Sequence, residues 1–220
     1  MNLLFKDFFL YLSNPSIVEP KKFNVRNFLI LIILNFLLSF LLAFIIRFIY
    51  QKLDINQKDF NVTPFLIFWI IFIAPIFEEI FCRLNLRLSK INYLILLISL
   101  AVVVIIMSFR HKYDSCILYG IALFSLIIIY MFFKNKGKQF YLKHFKYVFW
   151  ASCLLFGLLH IMNLTGNWVW IITLAPILCF PQFIGGAIVG YIRMNYGFIY
   201  GVIFHMLINS VVLFSLIPQK

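Results

Sequence analysis

The sequence predicts an all-α, polytopic helical membrane protein of about seven transmembrane helices, and three observations carry that expectation. Of 220 residues, 64% are hydrophobic and only 12% are charged, against about 25% charged in a typical soluble domain. The apolar runs are continuous, which excludes a barrel of alternating strands, and their aliphatic and aromatic richness excludes a disordered chain. The remaining charge is lopsided, 19 Lys and Arg against 7 Asp and Glu, as expected of basic loops on one membrane face. A nucleic-acid partner is not expected, because such a domain needs soluble mass that this chain lacks.

The elements follow in order. Residues 3–12, rich in Phe and Leu, read as a short interfacial helix. This stretch is interrupted by Lys6-Asp7 and ended by Asn14-Pro15, so it is not read as a cleavable signal peptide. A membrane-crossing helix needs about 20 apolar residues, and stretches free of charge place spans at 28–49, 64–86, 92–109, 115–133, 146–162, 168–193 and 197–217. The charge-free run at 147–192 is too long for one helix and is divided at the polar cluster Asn163-Leu164-Thr165-Gly166-Asn167. Pro75 and Pro176 fall inside spans, where each frees a backbone carbonyl and favours a kink. Gly186-x-x-x-Gly190 and Gly197-x-x-x-Gly201 read as close helix contacts. The cysteines Cys82, Cys116, Cys153 and Cys179 lack CxxC spacing and read as small buried hydrophobes.

This gives an N-terminal cytoplasmic or interfacial segment at 1–27, a first transmembrane helix and loop at 28–60, and a core at 64–217. With seven spans, 13 of the basic residues lie on the side of the N-terminus and six on the other, so the N-terminus is expected to be cytoplasmic. Arg193, the last residue of the span at 168–193, is counted on the side of the N-terminus. The basic segment 134–146 is expected to lie against anionic lipid.

Charges inside a span are costly and usually functional. Of the acids, only Glu78 and Glu79 lie within a span; of the histidines, only His160 and His205 do. Glu79 and Arg83 are four residues apart on one helix face and can pair. Glu78 is rotated away and needs another partner, whether water, a histidine or a metal. His205 and Asn209 share a face, as do Phe156 and His160.

The motifs Glu78-Glu79-Ile80-Phe81-Cys82-Arg83, Phe156-Gly157-Leu158-Leu159-His160 and His205-Met206-Leu207-Ile208-Asn209, in that order on separate spans, resemble those of the CPBP family. These are intramembrane endopeptidases related to the type II CAAX prenyl protease, including the bacterial Abi proteins. The resemblance covers residues from about 64 to 215; residues 1–60 carry none of it. Cys82-Arg83-Leu84 stands where family members often have Phe-Arg-Gly. The first two motifs are also spaced more widely than is usual, consistent with a helical hairpin inserted at 92–133.

The resemblance implies a membrane-embedded endopeptidase in a bacterial plasma membrane, acting on a hydrophobic or lipidated peptide. It implies Glu78 as general base on a water, His160 helping to hold that water, and His205 with Asn209 donating to the oxyanion. Glu79 and Arg83 would form a supporting ion pair. A carboxylate deprived of water is also a stronger base, whatever the family. No cofactor is favoured, but Glu78, His160 and His205 would suit zinc with an open fourth position. His-Glu-x-x-His, the usual zinc signature, is absent. Two other classes remain open from the residues: an ion- or proton-coupled transporter, since intramembrane Glu and His also act as relays, and a non-catalytic bacteriocin-immunity protein.

Overall fold

The structure, a computed structural model, describes residues 2–58, 62–87, 89–109 and 137–216. Helix α1 (Asn2–Ser13) occupies the expected interfacial segment. Helix α2 (Val25–Leu53) begins at Asn24, whose side chain accepts from the Asn27 N–H at 3.0 Å, a role for which Asn is favoured. It ends at Asp54 in the left-handed region, φ 48°, with the Asp54 N–H returning to the Tyr50 carbonyl. Asp tolerates that conformation better than most residues.

Residues 64–86 are helical but not uniformly so. Helix α3 (Pro64–Phe68) runs into a π-helical turn at Trp69–Ile73, then helix α4 (Ala74–Arg83) and a 3-10 turn at Leu84–Leu86. Pro75 supplies the physical reason. The Ala74 N–H bonds to the Trp69 carbonyl, five residues back. In that register the Ile70 carbonyl would take its hydrogen from residue 75, and proline has none to give.

Helix α5 (Lys90–Phe109) matches the first arm of the expected hairpin; the second arm, 115–133, lies outside the described residues, as does Cys116. Helices α6 (Gly137–Lys143) and α7 (Phe145–Leu159) follow. The latter stops one residue before His160, which opens a 3-10 turn at His160–Asn163. His160 is therefore at the end of its helix rather than within it. The polar cluster is a turn, as expected: Leu164–Thr165 (β2) pairs antiparallel with Asn56–Gln57 (β1), Asn56 opposite Thr165. Gly166 has φ 131°, and a Cβ there would come within 2.7 Å of the Asp54 carbonyl oxygen.

The span expected at 168–193 is corrected. It comprises helices α8 (Trp168–Thr173), α9 (Ala175–Leu178) and α10 (Phe180–Asn195). The breaks are Leu174 (φ −97°, ψ 4°) and Cys179 (φ −100°, ψ 11°), both near the bridge region. Pro176 and Pro181 stand in the first turns of α9 and α10, where a missing N–H costs little. Helix α11 (Phe198–Leu216) completes the chain's described part.

Three helical stretches, Val25–Leu53, Pro64–Leu86 and Phe145–Asn163, are long and apolar enough to cross a membrane; Lys90–Ile106 and Phe198–Phe214 are apolar but shorter. Seven complete spans are thus not what the described residues present. One expected span is divided and another lies outside them. Phe40, Phe44 and Phe48 of α2 are exposed, as lipid-facing residues would be.

Helix α10 lies at the centre, packed on α7, α11 and α2. Every residue from Gly186 to Asn195 is buried, as befits a helix surrounded on all sides. That includes Arg193, in the last turn of the helix and only 5% exposed. Gly190 allows the close approach of α7: a Cβ on it would sit 2.8 Å from the Phe149 ring.

Candidate active site

The motif residues meet where α4 packs between α7 and α11. Glu79 is the centre of the polar contacts. Its Oε1 accepts from Arg83 Nη1 at 2.5 Å, on the same helix, and from His205 Nδ1 at 2.9 Å, across to α11. Glu79 is 1% exposed and Arg83 wholly buried. Two charges without water must neutralise one another, because each alone would bear the full cost of burial. The expected ion pair is present, and it does more than expected, since the same oxygen also fixes the His205 ring.

This contact determines which His205 nitrogen is available. A carboxylate accepts, so Nδ1 carries the proton. Nε2 then faces Glu78, with Oε2 at 3.6 Å. A neutral imidazole presents a lone pair there, whereas an imidazolium donates. Glu78 Oε2 is itself buried with no hydrogen-bond partner among the described residues. The Glu78 side chain as a whole is 32% exposed, against 1% for Glu79. Of the two adjacent carboxylates, Glu78 alone is open to an incoming molecule.

His160 is held by its own helix end. Its Nδ1 lies 2.9 Å from the Phe156 carbonyl, one of the last-turn acceptors that lack an intrahelical donor. A carbonyl only accepts, so Nδ1 carries the proton and Nε2 of the neutral ring is basic. Phe156 joins the motifs. Its ring makes edge contacts with His160, centroids 5.0 Å apart, and with His205, 5.3 Å apart. The Arg83 guanidinium lies 3.9 Å above the same ring, an arrangement favoured by the ring quadrupole.

Asn209 donates through Nδ2 to the Ile70 carbonyl at 3.0 Å. That is the carbonyl that Pro75 leaves without a backbone donor, so Asn209 closes the π-helical turn above Glu78. A primary amide carries two N–H donors, and this contact uses one.

Glu78, His160 and His205 are the residues that would have to hold a zinc ion. Among the described residues no three His, Cys, Asp or Glu side chains are grouped to hold a metal ion.

Two participants lie outside the three sequence motifs. Ser152 donates its Oγ–H to the Cys82 carbonyl at 2.6 Å, binding α7 to α4 while buried. Its position one turn before Phe156 and two before His160 was a usable signal. Gly186 gives the Arg83 guanidinium its seat, since a Cβ there would lie 3.0 Å from Nη2. Cys82, Cys153 and Cys179 are free and buried, as expected of small hydrophobes.

No protein-family model, curated protein or solved structure matches the chain.

Proposed function

We propose that this protein is a membrane-embedded endopeptidase of the CPBP type, hydrolysing a peptide bond in a hydrophobic or lipidated, membrane-associated peptide. The observation that carries the reading is the pairing of Glu78 with His205. A partly open carboxylate with a buried, unpartnered oxygen stands 3.6 Å from an imidazole whose far nitrogen is anchored by a second carboxylate. Such a set separates a base from a donor within one site.

Glu78 takes a proton from water, and the hydroxide attacks the scissile carbonyl carbon. The oxyanion accepts hydrogen bonds from the protonated Nε2 of His205 and from the second N–H of Asn209. Glu79 stabilises the His205 imidazolium and holds its ring angle, as an orienting carboxylate does in hydrolytic triads. The basic Nε2 of His160 holds the water. When the tetrahedral intermediate collapses, the C–N bond breaks and Glu78 returns its proton to the leaving amine. In this reading the chain sits in a bacterial plasma membrane with its N-terminus cytoplasmic.

The test is cleavage of a farnesylated or hydrophobic peptide by purified protein in detergent. Activity is expected to be lost in Glu78→Ala and in His160→Ala while folding is retained. Ion flux in liposomes without proteolysis would instead establish a transporter. Full cellular function in both variants would establish a non-catalytic role. Comparative membrane peptidomics of wild type and Glu78→Ala would identify the substrate.

A further inference from the structure

A second polar cavity, of about 310 Å³, lies between α1, the α1–α2 connection, the start of α2 and the end of α10. It shares no lining residue with the Glu78 site. Its polar lining includes Asp7, Lys21, Arg26, Asn27 and Tyr191. Lys21 and Asp7 pair at 3.0 Å, whereas Arg26 has no ion-pair partner among the described residues. The lining therefore carries one surplus positive charge.

Two further groups point to an acceptor. Tyr191 is 2% exposed and held edge-on by Phe8 and Tyr11. Tyr191 lines the cavity, and its hydroxyl makes no hydrogen bond among the described residues, which leaves it free to donate to an occupant. In the first turn of α2, Asn24 caps the Asn27 N–H and accepts the Phe28 N–H through its carbonyl. The amides of Val25 and Arg26 thus remain as first-turn donors, which together with the positive end of the helix favour an anion.

Depth and wall chemistry narrow the class. Arg26 is the last charge before the charge-free stretch 27–46, so the cavity lies at the polar boundary of the first span, where lipid phosphates lie. Leu3, Leu4 and Ile30 are its aliphatic lining, suiting the apolar side of an esterified glycerol. A phosphodiester carries one negative charge, matching the surplus. We infer that this cavity binds the phosphodiester headgroup of an anionic phospholipid.

Lipid retention by the purified full-length chain, read by native mass spectrometry in detergent, tests the assignment. The probes are phosphatidylglycerol, phosphatidylcholine and inorganic phosphate. Phosphatidylglycerol is expected to be retained in preference to phosphatidylcholine and not to be displaced by millimolar inorganic phosphate. Loss of a charged or hydrogen-bonding donor in Arg26→Gln or Tyr191→Phe is expected to weaken retention about tenfold. Lys22→Gln, at an exposed position outside the cavity, is expected to leave it unchanged. Thermal melting checks each variant's fold. Tyr191→Phe removes only a hydroxyl and decides the matter if Arg26→Gln fails to insert. Equal retention of the two lipids, or wild-type retention in Tyr191→Phe, would overturn the proposal. Efficient displacement by inorganic phosphate would assign the cavity to a soluble phosphate and overturn the lipid assignment.

Discussion

Glu79→Gln changes one functional group and removes the charge that two basic side chains share. Glu79 and Arg83 are 1% and 0% exposed, so water cannot replace the lost carboxylate. Breaking a buried pair by removing one partner costs about 3–5 kcal/mol. The glutamine oxygen still accepts one hydrogen bond, which places the expected loss near the lower limit, at about 3 kcal/mol or about a hundredfold in the unfolding equilibrium. Arg83→Met should cost a similar amount, since it strands Glu79 with only His205. The double variant leaves no stranded charge and is expected to cost less than the sum of the singles, with a coupling of about 1–3 kcal/mol. Reversible unfolding of the purified protein in mixed detergent micelles measures all four species. Strict additivity, or a Glu79→Gln variant within about 0.5 kcal/mol of wild type, would refute the claim that this pair is a buried, mutually dependent charge unit.

All but the last of the remaining predictions use the same unfolding assay. Asn209→Leu strands the Ile70 carbonyl and should cost about 1–3 kcal/mol. In a Pro75→Ala background, where residue 75 regains an N–H, the same substitution should cost measurably less; an unchanged cost would separate Asn209 from the π-helical turn. Gly190→Ala, which presses a methyl to 2.8 Å from the buried Phe149 ring, should destabilise by about 1–3 kcal/mol. Gly201→Ala meets only ordinary contacts from 3.5 Å outward and should be neutral or slightly stabilising through its helix propensity. Gly166→Ala, at φ 131° and 2.7 Å from the Asp54 carbonyl, should loosen the β1–β2 pairing and raise amide exchange at Asn56 and Thr165.

How far the sequence reached is clearest at Glu79. The i, i+4 spacing announced its pairing with Arg83, because a helix brings such residues onto one face whatever surrounds it. No spacing rule could say that His205, 126 positions away, shares the same oxygen. Asn209 shows the same limit from the other side. Its presence on the His205 face was legible, but its use on a carbonyl orphaned by Pro75 depends on which helix lies opposite. Pro176 was legible as an interruption. That it and Pro181 divide the stretch into three helices was not, since a proline in a first turn and one in a kink look alike in sequence.

The sequence by itself determined the helical class, because continuous apolar stretches leave a backbone few other ways to satisfy its hydrogen bonds in lipid. It also determined the short list of acids and histidines, because a charge in an apolar span persists only when something compensates it. Only the tertiary structure decided the partners. It joined Glu79 to both Arg83 and His205, left Glu78 as the open carboxylate, moved His160 to a helix end and buried Arg193 on the central helix. The physical reason is range. Helix formation and membrane partitioning are set by neighbours along the chain, whereas a hydrogen bond between helices requires an approach of about 3 Å that is fixed only when whole faces pack.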